Sequence, residues 1–402
     1  MLKWLMLFVY FIVGVYVLHR IIYWFKIVTP LFKHRGIQGI CVALYCIAAS
    51  TIFFGAFLPS GRIQTSVHRA GNVWLGFLIY LLTYIAASDI IVLILKLINK
   101  KKEIPILKKR YGALIIGAAV TVSSFGFTIY GTIHARNMTT KEYDVSIEKH
   151  VDGLDGLNVV LVADLHLGYS IGCKDMEKMV KRINALNPDV VIYAGDIFDN
   201  DYDALDDPDR LSQIISGVNA KYGSYAVFGN HDVTETLVGG FSVSSAYRAF
   251  RDDRMEPFLE SAGINVLLDD VIQIADGKIN LVGRLDEEKP GDGTKNRKPL
   301  DELLSECDMN KPVIVINHEP DKLRQNAQSG VDVLLSGHTH AGQFFPLTIV
   351  QPFAWENYYG VKKIDNMYSV VTSGIGVYGP AIRVCFKNRN RNIQLSCVVL
   401  NN

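Results

Sequence analysis

The sequence predicts an α/β domain with a layered β-sheet, preceded by a four-helix transmembrane domain. Three observations predict it. Apolar residues concentrate in the first 135 positions, short β-branched runs alternate with amphipathic stretches after them, and five of those runs end in Asp, Asn or His side chains. The expected boundaries are 1–135 for the membrane domain, 136–157 for a connector and first strand region, and 158–402 for the α/β domain.

Across 402 residues the charges nearly cancel, at a formal net +1, so the chain lacks the electrostatic footprint of a nucleic-acid binder. A mean hydropathy of +0.19 is high for a soluble protein. The excess resides in four apolar segments, Leu2–Trp24, Ile37–Leu58, Gly71–Leu97 and Gly112–Ile133. Each is near the ~20 residues a helix needs to cross the hydrocarbon core. His19 and Arg20 interrupt the first segment, but no small-residue cleavage site follows it and three more segments do, so it reads as a span and not a signal peptide.

Lys and Arg crowd the first connection (Arg20, Lys26, Lys33, Arg35) and the third (Lys96, Lys100, Lys101, Lys102, Lys108, Lys109, Arg110). The second has Arg62 and Arg69, and the N-terminus Lys3. With the basic loops cytoplasmic, everything after the fourth helix is expected on the extracellular or periplasmic side of the cell membrane. Asp89 falls inside the third segment, where a carboxylate is a functional candidate. The sequence offers it no acid or base partner at matching depth, and a helix end, a kink or a packing role explains it as well. Cys41 and Cys46 lie in an apolar run; Cys173, Cys307, Cys385 and Cys397 are scattered without CxxC or Cys/His spacing. This pattern builds neither a disulfide framework nor a thiolate metal site.

In the second half, continuous apolar runs at Asn158–Ala163, Asp189–Ala194, Ser224–Phe228, Val313–Asn317 and Val331–Leu335 suit strands buried on both faces. Helix-like stretches such as Lys174–Leu186, Pro208–Val218 and Pro299–Cys307 alternate with them. The strands run, in order, into Asp164-Leu-His166, Gly195-Asp196-Ile-Phe-Asp199, Gly229-Asn230-His231-Asp232, His318-Glu319 and Gly337-His338-Thr-His340. In an open α/β sheet the carboxyl ends of the strands form the binding edge, so parallel strands would bring these groups to one crevice.

Alone, a DxH triplet is commonplace, GNHD reads as a turn, and GHTH reads as a polar loop or an ordinary metal site. Together they supply carboxylates, an amide and imidazoles without any thiolate. That donor set suits Mn, Fe or Zn. There are too many donors for one tetrahedral ion and about enough for two, which at ~3.5–4 Å would clamp an in-line displacement.

The order DxH, GDxxD, GNHD, a lone His after a strand and GHxH resembles the calcineurin-like metallophosphoesterases. The stretches VADLHLG, AVFGNHD, INHEPD and SGHTHAGQ are similar to the membrane-associated bacterial branch of that family, over about residues 143–387. The resemblance implies hydrolysis of phosphoester bonds by a hydroxide activated between two metal ions. It implies that Asp164, His166, Asp196 and His340 hold one ion, and that Asp196, Asn230, His318 and His338 hold the other. His231 is then no ligand but a donor to the phosphoryl or leaving-group oxygen, with Asp199 orienting its ring.

One departure concerns the closing segment, where such proteins commonly carry an Arg followed by Pro-Glu. Here Gly379-Pro-Ala-Ile-Arg383 leads into Lys387, Arg389 and Arg391 instead, which puts peripheral substrate contacts in doubt. Arg284 and Asp286 read as a surface salt bridge, with a place in the crevice as the alternative. Every ligand position is filled, which disfavours an inactive metal-binding module. Four spans with one buried acid and no broken-helix repeat disfavour a transporter. Anchoring leads to the expectation of a phosphoester substrate that is a membrane lipid or cell-envelope component, with the bilayer as partner and no nucleic acid.

Overall fold

The computed structural model describes residues 2–59, 61–98, 110–154, 156–235, 237–238, 241–242, 250–294, 296–384 and 393–401. Lys100, Lys101, Lys102, Lys108 and Lys109 of the third loop lie outside the described residues, as do Cys385, Lys387, Arg389 and Arg391. The chain divides into two compact units, one built on Met1–Thr132 and the other on Ile133–Leu237, Ser244–Tyr378 and Arg383–Asn402; the short stretches Val238–Val243 and Gly379–Ile382 group with the first. The five described cysteines, Cys41, Cys46, Cys173, Cys307 and Cys397, are free.

Among the described residues the first unit contains four long helices, α1 (Leu2–Val28), α2 (Arg35–Phe54), α3 (Arg62–Ile98) and α4 (Arg110–His134). All four are long and apolar enough to cross a membrane. At 37 residues α3 exceeds the segment read from the sequence, because it begins nine residues earlier, at Arg62 instead of Gly71. The added turns bury Gln64 and His68 among the helices, which apolarity alone did not anticipate. Small residues set the closest approaches: a Cβ at Gly117 on α4 would lie 1.7 Å from Trp24 Nε1 on α1. Such contacts replace the hydrophobic drive that lipid removes.

Asp89 does have a partner, contrary to the sequence reading. Arg20 Nη2 meets Asp89 Oδ1 at 2.6 Å, and Tyr16 Oη donates to Asp89 Oδ2 at 2.7 Å. The cation that seemed to spoil the first span is the one that neutralises the acid in the third. A separation of 69 residues hides this in the sequence, and helix packing creates it.

The described strands are, in chain order, β1 (Met138–Ser146), β2 (Leu157–Val162), β3 (Val190–Ala194) and β4 (Ser224–Val227), then the ribbon β5 (Leu237–Val238) and β6 (Phe241–Ser242). There follow β7 (Ile264–Val266), β8 (Asp270–Ile274), β9 (Ile279–Gly283), β10 (Val313–Ile316) and β11 (Val333–Ser336), and finally β12 (Gly360–Ile364), β13 (Met367–Val371) and β14 (Ile393–Asn401). Apart from the β5–β6 ribbon they form two six-stranded sheets, ordered β1-β14-β2-β3-β4-β7 and β12-β13-β11-β10-β9-β8. The five runs read from the sequence are β2, β3, β4, β10 and β11, and they divide between the two sheets. Within each sheet they are parallel.

Alternation along β2 explains the layering. Leu157, Val159 and Leu161 belong to the core between the sheets, with Ile314, Ile316, Leu335 and Val370. Val160 and Val162 turn the other way, onto Met176, Met179 and Ile183 of α5 (Cys173–Asn184) and Leu211 of α6 (Pro208–Ile215). On the far side, Val313, Val315 and Leu334 meet Leu300, Leu303 and Leu304. The result is two sheets face to face with helices on both outer surfaces, each fully buried aliphatic side chain contributing ~1.5–3 kcal/mol. Pro208 opens α6 at its first turn, and Asp207 caps it by accepting from Arg210 N.

Candidate metal centre

The loops that leave β2, β3, β4, β10 and β11 are stitched together by backbone hydrogen bonds. Asp164 N donates to Gly195 O, His166 N to Asp196 O, and Gly337 N to His318 O. Their side chains converge accordingly. Asp164, His166 and His340 form one group and Asp196, His318 and His338 another, each compact enough to hold an ion.

Distances join the two groups through Asp196. In the first, His166 Nε2 and His340 Nε2 are 3.0 Å apart, His340 Nε2 lies 3.5 Å from Asp164 Oδ1, and His166 Nε2 lies 3.8 Å from Asp196 Oδ2. In the second, His318 Nε2 lies 3.1 Å from that same Asp196 Oδ2 and 3.2 Å from Asn230 Oδ1, and Asn230 Oδ1 lies 3.0 Å from His338 Nδ1. Donors ~2.0–2.2 Å from a common ion stand about 3.0–3.5 Å from one another. Most of these separations match that spacing. Asp164 Oδ2 is buried without a hydrogen-bond partner, as an oxygen reserved for a cation would be.

The backbone is shaped around these donors. Asp164 (φ 52°), His166 (φ 47°), Asp196 (φ 52°), His338 (φ 69°) and His340 (φ 49°) all adopt left-handed conformations, at ~1–3 kcal/mol each. Two glycines make the approach possible. A Cβ at Gly229 would lie 2.4 Å from Asp196 Oδ1, and one at Gly337 would lie 2.6 Å from Asp164 Oδ2.

Neighbouring groups fix which atoms face the centre. His318 Nδ1 is 2.8 Å from Ala194 O and donates to it, which turns Nε2 toward the centre. Asp196 Oδ1 accepts from His231 N at 2.8 Å, and Asp164 Oδ1 from His338 N at 2.9 Å. Burial works against the charge on Asp196, but His318, His231 and His166 outweigh it and hold its carboxyl well below the usual range. For Asp164 burial prevails and raises the pKa to about 6. Metal binding at such a site would displace protons from the imidazoles and from Asp164.

Asp199 lies near both His166 and His231. Its Oδ1 lies 3.5 Å from His166 Nδ1, so it faces a ring of the first group. His231 Nδ1 is held by Asn200 Oδ1 at 2.5 Å. The amide nitrogen of Asn200 is committed to Val233 O and Glu235 Oε2, so its oxygen must face the imidazole and Nδ1 must donate. Lys289 Nζ anchors Glu235 Oε2 at 2.7 Å. His231 therefore keeps Nε2 for chemistry, and burial lowers its pKa to about 4.

Other contributors escaped the sequence reading. Asp232 was visible in GNHD but had no role; it is fully buried, its Oδ1 accepting from Phe198 N and its Oδ2 from Gly229 N, both at 2.7 Å, which ties the loop after β4 to that after β3. Tyr378 closes against His340, His231 and His166, with ring centroids at 4.9, 5.9 and 6.0 Å, and Trp355 stacks edge-on to His338 at 5.1 Å. Neither carries a motif signal.

Arg284 and Asp286 are both buried and form no pair with each other, so the surface salt bridge is not built. Arg284 Nη2 donates to Lys298 O, and Asp286 Oδ1 accepts from Glu288 N and Lys289 N. Arg383 is likewise internal, donating to His340 O, Ser373 O and Gly376 O, and so braces the loops from behind.

Residues 157–342 match the sequence profile of the calcineurin-like phosphoesterases. Among similar proteins is a "transmembrane protein with metallophosphoesterase domain" of Danio rerio, 30% identical over 298 residues, which are 70% of this chain and 62% of that protein. A Bos taurus protein of the same name is 27% identical, over 69% of this chain and 61% of its own length. An uncharacterized metallophosphoesterase of Bacillus subtilis (strain 168) is 27% identical, over 67% of this chain and 89% of its length. The resemblance thus reaches beyond bacteria, and the chain spans less than two thirds of the two animal relatives.

The buried carboxylate of Asp232 yields a test. Asp232→Ala orphans two buried N–H groups at ~1–3 kcal/mol each. It should lower the melting temperature and the metal content of the purified chain; unchanged values for both would mean that the GNHD turn holds itself.

Proposed function

We propose that the α/β unit hydrolyses phosphoester bonds at a dinuclear metal centre. Asp164, His166, Asp196 and His340 would hold one cation, and Asp196, Asn230, His318 and His338 the other. The supporting observation is Asp196 Oδ2, which faces His166 on one side and His318 on the other. Mixed imidazole, amide and carboxylate donors favour Mn, Fe or Zn. Bound there, two cations supply Lewis acidity and a water that ionises near neutral pH.

The chain's own residues do the rest. Asp199 steadies the ring of His166, and Asn200 presents His231 with Nε2 outward. A phosphoryl anion beside His231 favours the charged ring, whose Nε2–H can then donate to the leaving-group oxygen. Tyr378 and Trp355 flank the centre with aromatic surface.

The test uses the full chain with its native metal and a chromogenic aryl phosphodiester. Asn230→Ala should lose metal and activity together. His231→Ala should keep its metal and lose turnover by ~10²–10⁴-fold, the range for a general acid. Equal turnover in wild type and both variants would end the assignment.

For orientation, the weight of Lys and Arg in the first and third loops supports a catalytic unit on the extracellular or periplasmic face. Cysteines introduced at exposed Lys178 should then react with a membrane-impermeant maleimide in intact cells; labelling only after lysis would reverse the topology.

Membrane anchoring supports a lipid-linked or cell-envelope phosphoester as substrate. In reconstituted vesicles the chain should hydrolyse a long-chain phosphodiester faster than a soluble nucleotide, and the opposite ranking would remove the lipid assignment.

A further inference from the structure

The membrane unit contains a cavity of about 320 Å³ between α1, α3 and α4, a volume at the small end of the ~300–1,000 Å³ typical of ligand pockets. It lies at the end of the bundle where α1 and α3 finish and α4 begins. Lys96 stands two residues before the end of α3, and Ala113 three residues after the start of α4. From that rim the cavity runs inward past Trp24 and the Arg20–Asp89 pair to Leu81, Ile85 and Val120.

Its chemistry is divided along this path. The inner walls carry Leu81, Ile85 and Val120, and the hydroxyl of neighbouring Thr121 is turned back onto Gly117 O at 2.8 Å. The outer part carries two cations, Arg20 and Lys96, against one carboxylate, Asp89, and so one net positive charge. Both oxygens of Asp89 are engaged, one by Arg20 and the other by Tyr16. Trp24 Nε1 is also committed, donating to Ala113 O at 2.7 Å, so the indole is a fixed wall. Lys96 forms no ion pair or hydrogen bond among the described residues. Arg20 directs only Nη2 to Asp89, leaving part of a planar guanidinium whose fork fits a phosphate.

An uncompensated cation at the mouth of an apolar slot calls for an amphiphile with an anionic head. We propose that this cavity binds one anionic glycerophospholipid, its phosphate between Lys96 and Arg20 and an acyl chain against Leu81, Ile85 and Val120. The neighbouring third loop is a poor alternative occupant, because Lys100, Lys101, Lys102, Lys108 and Lys109 would bring like charge to a positive rim. The same end of the bundle is the basic one, where an anionic leaflet would supply the ligand. This inference is independent of the phosphoester reading, since it concerns retention and not turnover.

Delipidation of the full-length chain, purified from vesicles of phosphatidylcholine doped with phosphatidylglycerol, provides the test. Native mass spectrometry should find one phosphatidylglycerol per chain surviving a wash that strips phosphatidylcholine. Lys96→Gln should reduce retention about tenfold, the scale of one lost charge-assisted contact. Val120→Phe, which fills the inner slot without touching charge, should also reduce it. Lys26→Gln, a cation near the end of α1 outside the cavity, should not. Melting temperatures of all variants should match wild type, confirming that the bundle is intact. Equal retention in wild type and Lys96→Gln, or equal retention of the two lipids, would show annular lipid only and overturn the proposal. Loss in Lys96→Gln with full retention in Val120→Phe would place the lipid outside the cavity and overturn it as well.

Discussion

A single carboxylate organises the second unit. Asp196 lies at the end of β3, with Oδ1 held by the backbone N–H of His231 and Oδ2 within reach of both His166 and His318. Without it the two donor groups would be separate clusters around a buried, partly cationic hole. The imidazoles that crowd it keep it ionised despite complete burial. Their arrangement makes electrostatic sense only if positive charge occupies the space between them, whether as protons or as metal ions.

The surroundings show how such a cluster is held against its own repulsion. Left-handed backbone at five of the donors costs several kcal/mol in total, a cost that a loosely packed loop would relax away. Here the two-sheet sandwich fixes the strand ends, and Asp232 and Arg383 tie the loops to one another through backbone groups. Further out, the Lys289–Glu235–Asn200 chain sets the tautomer of His231 from a distance. Rigidity of the sandwich is thus converted into orientation of individual nitrogen atoms.

The membrane unit follows a different logic, because lipid offers no hydrophobic gain for helix association. Close approach at glycines, exemplified by Trp24 against Gly117, and buried polar pairing take its place. The Arg20–Asp89 contact combines two residues that each look unfavourable alone. Paired, they form a polar wall of a cavity that runs inward to Leu81, Ile85 and Val120.

Much of the molecule was legible in the sequence because periodicity and local motifs report local physics. Four long apolar segments are four helices, and VVLVA, VVIYA and VIVI are buried strands because each offers apolar side chains to both faces of a sheet. The motif residues Asp164, His166, Asp196, Asn230, His318, His338 and His340 could be named because each follows such a strand. What the sequence could not decide is everything set by distance across the fold. It did not reveal that β10 and β11 belong to a second sheet, that Arg20 meets Asp89, or that Arg284 and Asp286 are buried apart. Nor could it say that Asn200 holds His231. Side-chain partnerships of that kind depend on the packing of segments far apart in the chain, which no local pattern encodes.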